Sequence, residues 1–205
     1  SPCGINEPLA KKDLEKHIKY AHDNGFIDII MNTNAQLLNE ERARKLLDSG
    51  LTRLRFSLDA ASKETYLKSR GRTTYDKAIN NIDNFLNLKE KRGYKLPITG
   101  VNFCVMSVNE HETEKFKKLW QEKVDIVTLQ TFVPPIFNGK FNYLYPTKKD
   151  KDLNEAFDTK KCPQPFQRVY IRNYDITPCC AQFSQEISIG NVHNDTIHNA
   201  WHSTS

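Results

Sequence analysis

Residues 42–60 read RARKLLDSGLTRLRFSLDA, and the fold is decided in this stretch. Ala43, Leu46 and Leu47 recur at the spacing of one helix face. Asn39 stands where an N-cap belongs, and Gly50 where a helix ends in the left-handed conformation. Thr52 to Leu58 then reads as a strand. A helix that stops at a glycine and returns at once into a strand is the joint of a β/α repeat. Such repeats build parallel sheets through right-handed crossovers.

Outward from this joint the cycle repeats. Upstream, Leu14, Ile18 and Ala21 predict a helix from about Leu9 to Asn24, capped by Gly25, followed by an isoleucine-rich strand from Phe26 to Met31. Downstream, Tyr75, Ala78, Ile79, Ile82, Phe85 and Leu86 form the apolar stripe of a long helix, and Ile98 to Val105 is the next strand. Asn109 with Glu112 has the spacing of a capping box for a helix that buries Phe116, Leu119 and Trp120, and Val124 to Phe132 is a further strand. The expected class is therefore α/β. From Pro134 through about Lys161, prolines, Gly139 and lysines break every period, which reads as a linker or long loop. Beyond it lie Cys162, short strands around Val169 to Arg172 and Asp175 to Thr177, a Cys179-Cys180 pair and a closing helix near Thr196 to His202.

Composition excludes several functions. The net charge of +5 comes from 30 basic residues scattered among 25 acidic ones, a solvated surface that argues against a nucleic-acid partner. No apolar run approaches the roughly 20 residues of a membrane span, and no signal-peptide pattern opens the chain, so a cytoplasmic setting is expected. Five cysteines, an odd number, suit metal ligands or buried thiols better than a disulfide framework.

Ligands of parallel β/α barrels sit where strands end, so those positions carry the functional reading. The chain opens with SPCGINEPLA, a GxxEP turn; one strand ends in Asn32-Thr33-Asn34-Ala35 and the next in Ser57-Leu58-Asp59-Ala60, with Tyr66 and Arg70 following. Short hydroxyl, amide and carboxylate groups suit ribose hydroxyls, and an arginine fork suits a carboxylate. Taken singly, each has a plainer role: Asn32 and Asn34 turn the chain, Ser62 caps a helix, and Asp59 pairs with a lysine. Taken in this order, GxxEP, TNA, SLDA and YxxxR resemble the radical S-adenosylmethionine (SAM) superfamily. Residues 42–60, YDKAINNIDNFL and the C-terminal CPQPF, IRNYDITPCC and IGNVHNDTIHNAW resemble its branch with a SPASM or twitch auxiliary iron-sulfur domain.

The resemblance implies a partial (β/α)6, TIM-like barrel over residues 1–133 and a linker over 134–161. Residues 162–205 would form the N-terminal half of an auxiliary-cluster domain, a small β-hairpin plus helix. It implies an oxidoreductase or maturase that uses SAM and a [4Fe-4S] cluster to generate a 5'-deoxyadenosyl radical, which takes hydrogen from a peptide or small-molecule substrate. Flavodoxin or ferredoxin would donate electrons. Gly4, Asn6, Glu7 and Pro8 would meet the methionine amino group, with Thr33 and Asn34 lining the same pocket. Ser57 and Asp59 would approach the ribose or methionine, Arg70 the carboxylate, and Gln130 ends the last strand. Cys162 and Cys179, with Cys180 as a weaker third, would ligate an auxiliary iron-sulfur cluster; the plainer reading is a set of reduced structural thiols. Tyr174 stands where the family pattern has glycine. Cys104 reads as core, and His198 and His202 as one face of an exposed terminal helix.

The 205 residues contain no CxxxCxxC motif, and Cys3 has no partners at that spacing. A rival reading is a truncated or degenerate homologue that serves as a binding module. The 205-residue chain by itself is expected to yield no 5'-deoxyadenosine with SAM and a strong reductant, as measured anaerobically by chromatography. The Cys162 and Cys179 sulfurs are expected within about 10 Å of each other, the reach of one cluster.

Overall fold

The computed structural model describes residues 6–132, 136–137, 140–141, 166–178 and 187–202. The chain divides into two compact units, Ser1–Phe132 and Val133–Ser205.

In the first unit four strands, β1 (Ile30–Thr33), β2 (Arg53–Ser57), β3 (Ile98–Val105) and β4 (Ile126–Thr131), form one parallel sheet in sequential order. Thr33 lies beside Phe56, Phe56 beside Val101, and Val101 beside Val127. Side chains alternate across a strand, so one face collects Met31, Leu54, Phe56, Val101 and Phe103, all of them fully buried. Against that face pack α1 (Leu14–Asp23), α2 (Glu40–Leu47), α3 (Lys63–Arg70), α4 (Tyr75–Lys91) and α5 (Thr113–Trp120). Phe56 meets Phe85 edge-on with ring centroids 5.9 Å apart, and Phe103 meets Phe116 at 4.8 Å. Each buried aromatic contributes about 1.5–3 kcal/mol by leaving water, and an edge-to-face contact adds about 0.5–1.5 kcal/mol.

The opposite face is polar. Asn32, Arg55, Ser57, Asn102, Cys104, Thr128 and Gln130 occupy it in register. A parallel sheet covered on both sides reads as nearly continuous hydrophobic strands. Alternation such as Arg53-Leu54-Arg55-Phe56-Ser57 instead marks a sheet with one oily side and one wet side, as a barrel wall facing a lumen requires.

Several expected elements differ in detail. The first helix is split into a 3-10 turn at Pro8–Ala10 and α1, because Pro8 and the Glu7 cap set a tight turn first. Phe26 and Ile27 are exposed rather than in a strand; pairing with β2 begins only at Ile30, opposite Arg53. The Asn109–Glu112 capping box does not form, since both side chains bond elsewhere. Leu119 stays about one-third exposed (37%) while Phe116 and Trp120 are buried, and half-buried Cys104 lies on the polar face rather than in the core. Asn39 does cap α2, accepting from the Arg42 N–H at 2.9 Å.

In the second unit, β5 (Ile136–Phe137) and β6 (Lys140–Phe141) pair as a short antiparallel ladder inside the stretch expected to be a linker. The expected hairpin is present as β7 (Tyr170–Arg172) and β8 (Asp175–Thr177). It gains a third antiparallel strand, β9 (Gly190–Asn191), and the closing helix α6 (Ile197–Trp201). Asn173 and Tyr174 both take positive φ, 49° and 73°, as a tight hairpin turn demands. Among its described residues, Ile176 and Ala200 are the buried apolar ones. Thr196 caps α6 through Asn199 N–H, and the His198 and His202 rings lie 4.7 Å apart on it.

Phe85 is fully enclosed and touches the central strand, so Phe85→Ala is expected to cost about 3–5 kcal/mol of stability. Urea unfolding followed by circular dichroism measures it.

Candidate functional site

The strand ends are tied together by a few carboxylates and amides. Glu7, in the turn before Pro8, accepts from the Thr33 hydroxyl at 2.6 Å, the Asn34 N–H at 2.8 Å and the Leu9 N–H at 3.1 Å. One carboxylate thus clamps the GxxEP turn to the end of β1. Thr33 Oγ1 also accepts from the Ala35 N–H at 3.0 Å, and Asn34 Oδ1 accepts from the Gln36 N–H at 2.9 Å. This pair of local bonds turns the chain sharply, and Ala35 takes φ of 61° with its carbonyl held by Asn81 at 2.7 Å.

At the end of β2, Asp59 also lies in the left-handed region, φ 58°. Its carboxylate accepts from the Cys104 N–H at 2.7 Å and pairs with Arg70 at 2.6 Å. Burial pushes the Asp59 carboxyl up from its ordinary value, and the Arg70 charge and the Cys104 N–H pull it back only in part. Asn109, wholly buried, accepts from the Met106 N–H at 2.6 Å and donates to the carbonyls of Asp59 and Cys104, both at 2.9 Å. Glu112 accepts from the Ala61 N–H at 2.7 Å. Its burial acts to raise the carboxyl, but hydrogen bonds from Ser62, Ala61 and Thr65 outweigh it and hold the group below its usual range.

The residues singled out in the sequence therefore fall into distinct groups. Glu7 and Thr33 bond to each other, Asp59 and Arg70 pair, and Pro8 is buried. These side chains hold the rim in shape. Asn6 is exposed beside them, and Asn34 presents its backbone and amide at the turn. Ser57 and Gln130 project onto the polar face. Gly4, Cys162, Cys179 and Cys180 lie outside the described residues. Motif reading passed over Asn102 and Arg55, which share that face; the alternation within β2 and β3 was the signal for them. Asn102 is only 6% exposed, yet its Oδ1 has no hydrogen-bond partner among the described residues. A buried amide oxygen left unpaired costs about 1–3 kcal/mol, so an acceptor kept there is suited to a ligand that donates to it.

Residues 3–119 match the model of the radical SAM superfamily, and residues 162–205 match the SPASM model, an iron-sulfur cluster-binding domain. The chain is 31% identical over 152 residues to a probable GTP 3',8-cyclase of Methanocaldococcus jannaschii, covering 74% of this chain and 49% of that protein. It is 30% identical over 135 residues to a 7,8-dihydro-6-hydroxymethylpterin dimethyltransferase of the same organism, covering 65% and 26%. The structure of BtrN in complex with AdoMet and 2-DOIA aligns with a TM-score of 0.48 at 18% identity, over 97% of this chain and 59% of that one. The chain spans about half the length of the cyclase and about a quarter of that of the dimethyltransferase. It belongs to the radical SAM superfamily. Its C-terminal part is a SPASM-type domain, and SAM and [4Fe-4S] clusters are the cofactors of this class. Among the described residues no helix is long and apolar enough to cross a membrane.

Glu112→Ala strips the buried Ala61 N–H of its acceptor and is expected to cost about 1–3 kcal/mol at pH 7. Because the folded-state pKa of Glu112 is depressed, its contribution is complete above the unfolded value and is lost as pH falls through the folded one. The gap between wild type and variant should therefore narrow below about pH 4, as read by denaturant titration at several pH values.

Proposed function

We propose that this chain supplies the SAM-binding wall and the auxiliary-cluster domain of a radical SAM oxidoreductase or maturase acting on a small-molecule or peptide substrate. The observation that carries the reading is the polar sheet face, with the buried, unpaired Asn102 Oδ1 on it. When bound, SAM and a reduced [4Fe-4S] cluster supply the carbon radical that takes a hydrogen atom from the substrate. The chain's own residues bind and orient. Asn6, Glu7 and Pro8 with Thr33 and Asn34 form the rim that receives the methionine end, with Gly4 assigned to it by the motif alone, and Glu7 fixes that rim rather than reaching outward. Ser57 and Asn102 offer a hydroxyl and an amide side by side in register for ribose hydroxyls. Asp59 and Arg70 brace the loop after β2, and Gln130 stands on the substrate side of β4. A polar face backed by an apolar core orients the cofactor on one side of the sheet.

Cys162, Cys179 and Cys180 are the proposed ligands of the auxiliary cluster, with flavodoxin or ferredoxin as electron donor. The sequence match to an iron-sulfur cluster-binding domain supports this assignment.

The test uses the full-length gene product, reconstituted anaerobically with iron and sulfide. It is expected to bind SAM and, on reduction, to release 5'-deoxyadenosine. Asn102→Val should raise the SAM Kd about tenfold, equivalent to about 1.4 kcal/mol, by isothermal titration without reductant. Unchanged affinity in a folded variant removes Asn102 from the SAM site, and an absence of SAM binding in the wild type rejects the function.

A further inference from the structure

Among the described residues, one guanidinium on the polar face of the sheet has no counter-charge. Arg53 and Arg55 both stand on that face of β2, two residues apart. Arg53 pairs with Asp28, Nε to Oδ1 at 3.2 Å. Arg55, half-buried, has no ion pair or hydrogen bond among the described residues. Carboxylates on the segments around β1 and β2 are engaged elsewhere: Asp28 with Arg53, Asp59 with Arg70 and Cys104, and Glu7 with Thr33 and Asn34.

Its surroundings are shaped to keep it extended across the sheet. Asn32 of β1 and Gly100 of β3 flank it in register. A Cβ at position 100 would crowd the Ile126 carbonyl oxygen at 3.0 Å and make ordinary contact with Arg55 Cγ at 3.6 Å, so the glycine accommodates the β4 backbone and the Arg55 stem runs past it in simple contact. One step toward the strand ends lie Ser57, Asn102 and Thr128, including the unpaired Asn102 Oδ1. A charge partly withdrawn from water is costly unless an opposite charge meets it. A guanidinium offers five donors in a planar fork that matches a carboxylate or phosphate two bonds at a time.

We propose that Arg55 binds an oxyanion of the substrate, so that the molecule processed on this face carries a carboxylate or phosphate group. This rests on the reading of the polar face as the ligand chamber. The methionine carboxylate of SAM has the same chemistry. Arg55 is in register with Asn32, before the Thr33–Asn34 end of β1 that Glu7 clamps and that is assigned to that end of SAM, and this setback from the strand ends favours the substrate.

The experiment uses the full-length reconstituted holoenzyme and phenylglyoxal, with modification of Arg55 and Arg53 followed by peptide mass spectrometry. Millimolar pyrophosphate or succinate is expected to slow Arg55 modification about fivefold, because a bound ligand protects by a factor of one plus its concentration over Kd. Arg53, held by Asp28, should change less than about twofold under the same anions, and SAM alone should leave Arg55 within about twofold. Protection by pyrophosphate only assigns a phosphate, and protection by succinate only assigns a carboxylate; either supports the proposal. Protection by SAM alone equal to that by the anions assigns Arg55 to the cofactor and overturns it. No protection by either anion overturns it, as does an Arg55 unreactive without added anion, which would already be paired within the protein. SAM binding by equilibrium dialysis on the same preparation keeps the two readings apart. A protein that binds SAM with Arg55 unprotected loses only the anion site, whereas one that does not bind SAM loses the proposed function.

Discussion

Everything in the first unit depends on the burial of one sheet face. Met31, Leu54, Phe56, Val101 and Phe103 meet the apolar stripes of five helices, and no exposed surface remains on that side of the central strands. Strand side chains have a period of two, so committing this face to the core fixes every intervening residue on the other. Arg55, Ser57, Asn102 and Gln130 are therefore placed by the packing of their neighbours, and the register of the sheet sets which of them stand side by side.

The loops at the strand ends solve a different problem. Each must leave a strand and turn sharply, which exposes backbone donors and acceptors that a buried rim cannot leave unpaired. Glu7, Asn109 and Glu112 meet that need by reaching across from other segments, and Asp59 does so for Cys104. Left-handed backbone at Ala35 and Asp59 is held against its cost by these bonds. The motifs that name the family are thus largely structural at the level of side chains. GxxEP and the TNA turn are two halves of one clamp, which explains why they belong to the same pattern although 25 or more residues separate them.

Much of this was legible in the chain of letters. The stripe of α4 and the extent of β3 were read to within a residue, because a long helix stripe leaves little ambiguity and β3 is a β-branched and aromatic run bounded by Pro97 and the turn after Val105. Phe26 and Ile27 misled, since an apolar run shows where a strand is favoured but not where a partner is present to pair with it. Asn109 and Glu112 misled for a related reason. Their spacing is that of a local cap, but buried N–H and carbonyl groups of other segments competed for both side chains and won.

The sequence by itself determined the β/α succession, the family and the identity of the strand-end residues, because periodicity and short-range motifs are local properties of the chain. Only the tertiary structure decided which of those residues are spent on one another and which polar groups are left without a partner. Glu7, Thr33, Asp59 and Arg70 are paired, while Arg55 and the Asn102 oxygen are left unmatched among the described residues of the polar face. Pairing depends on distances between segments far apart in sequence, and those distances are set by how the helices cover the sheet.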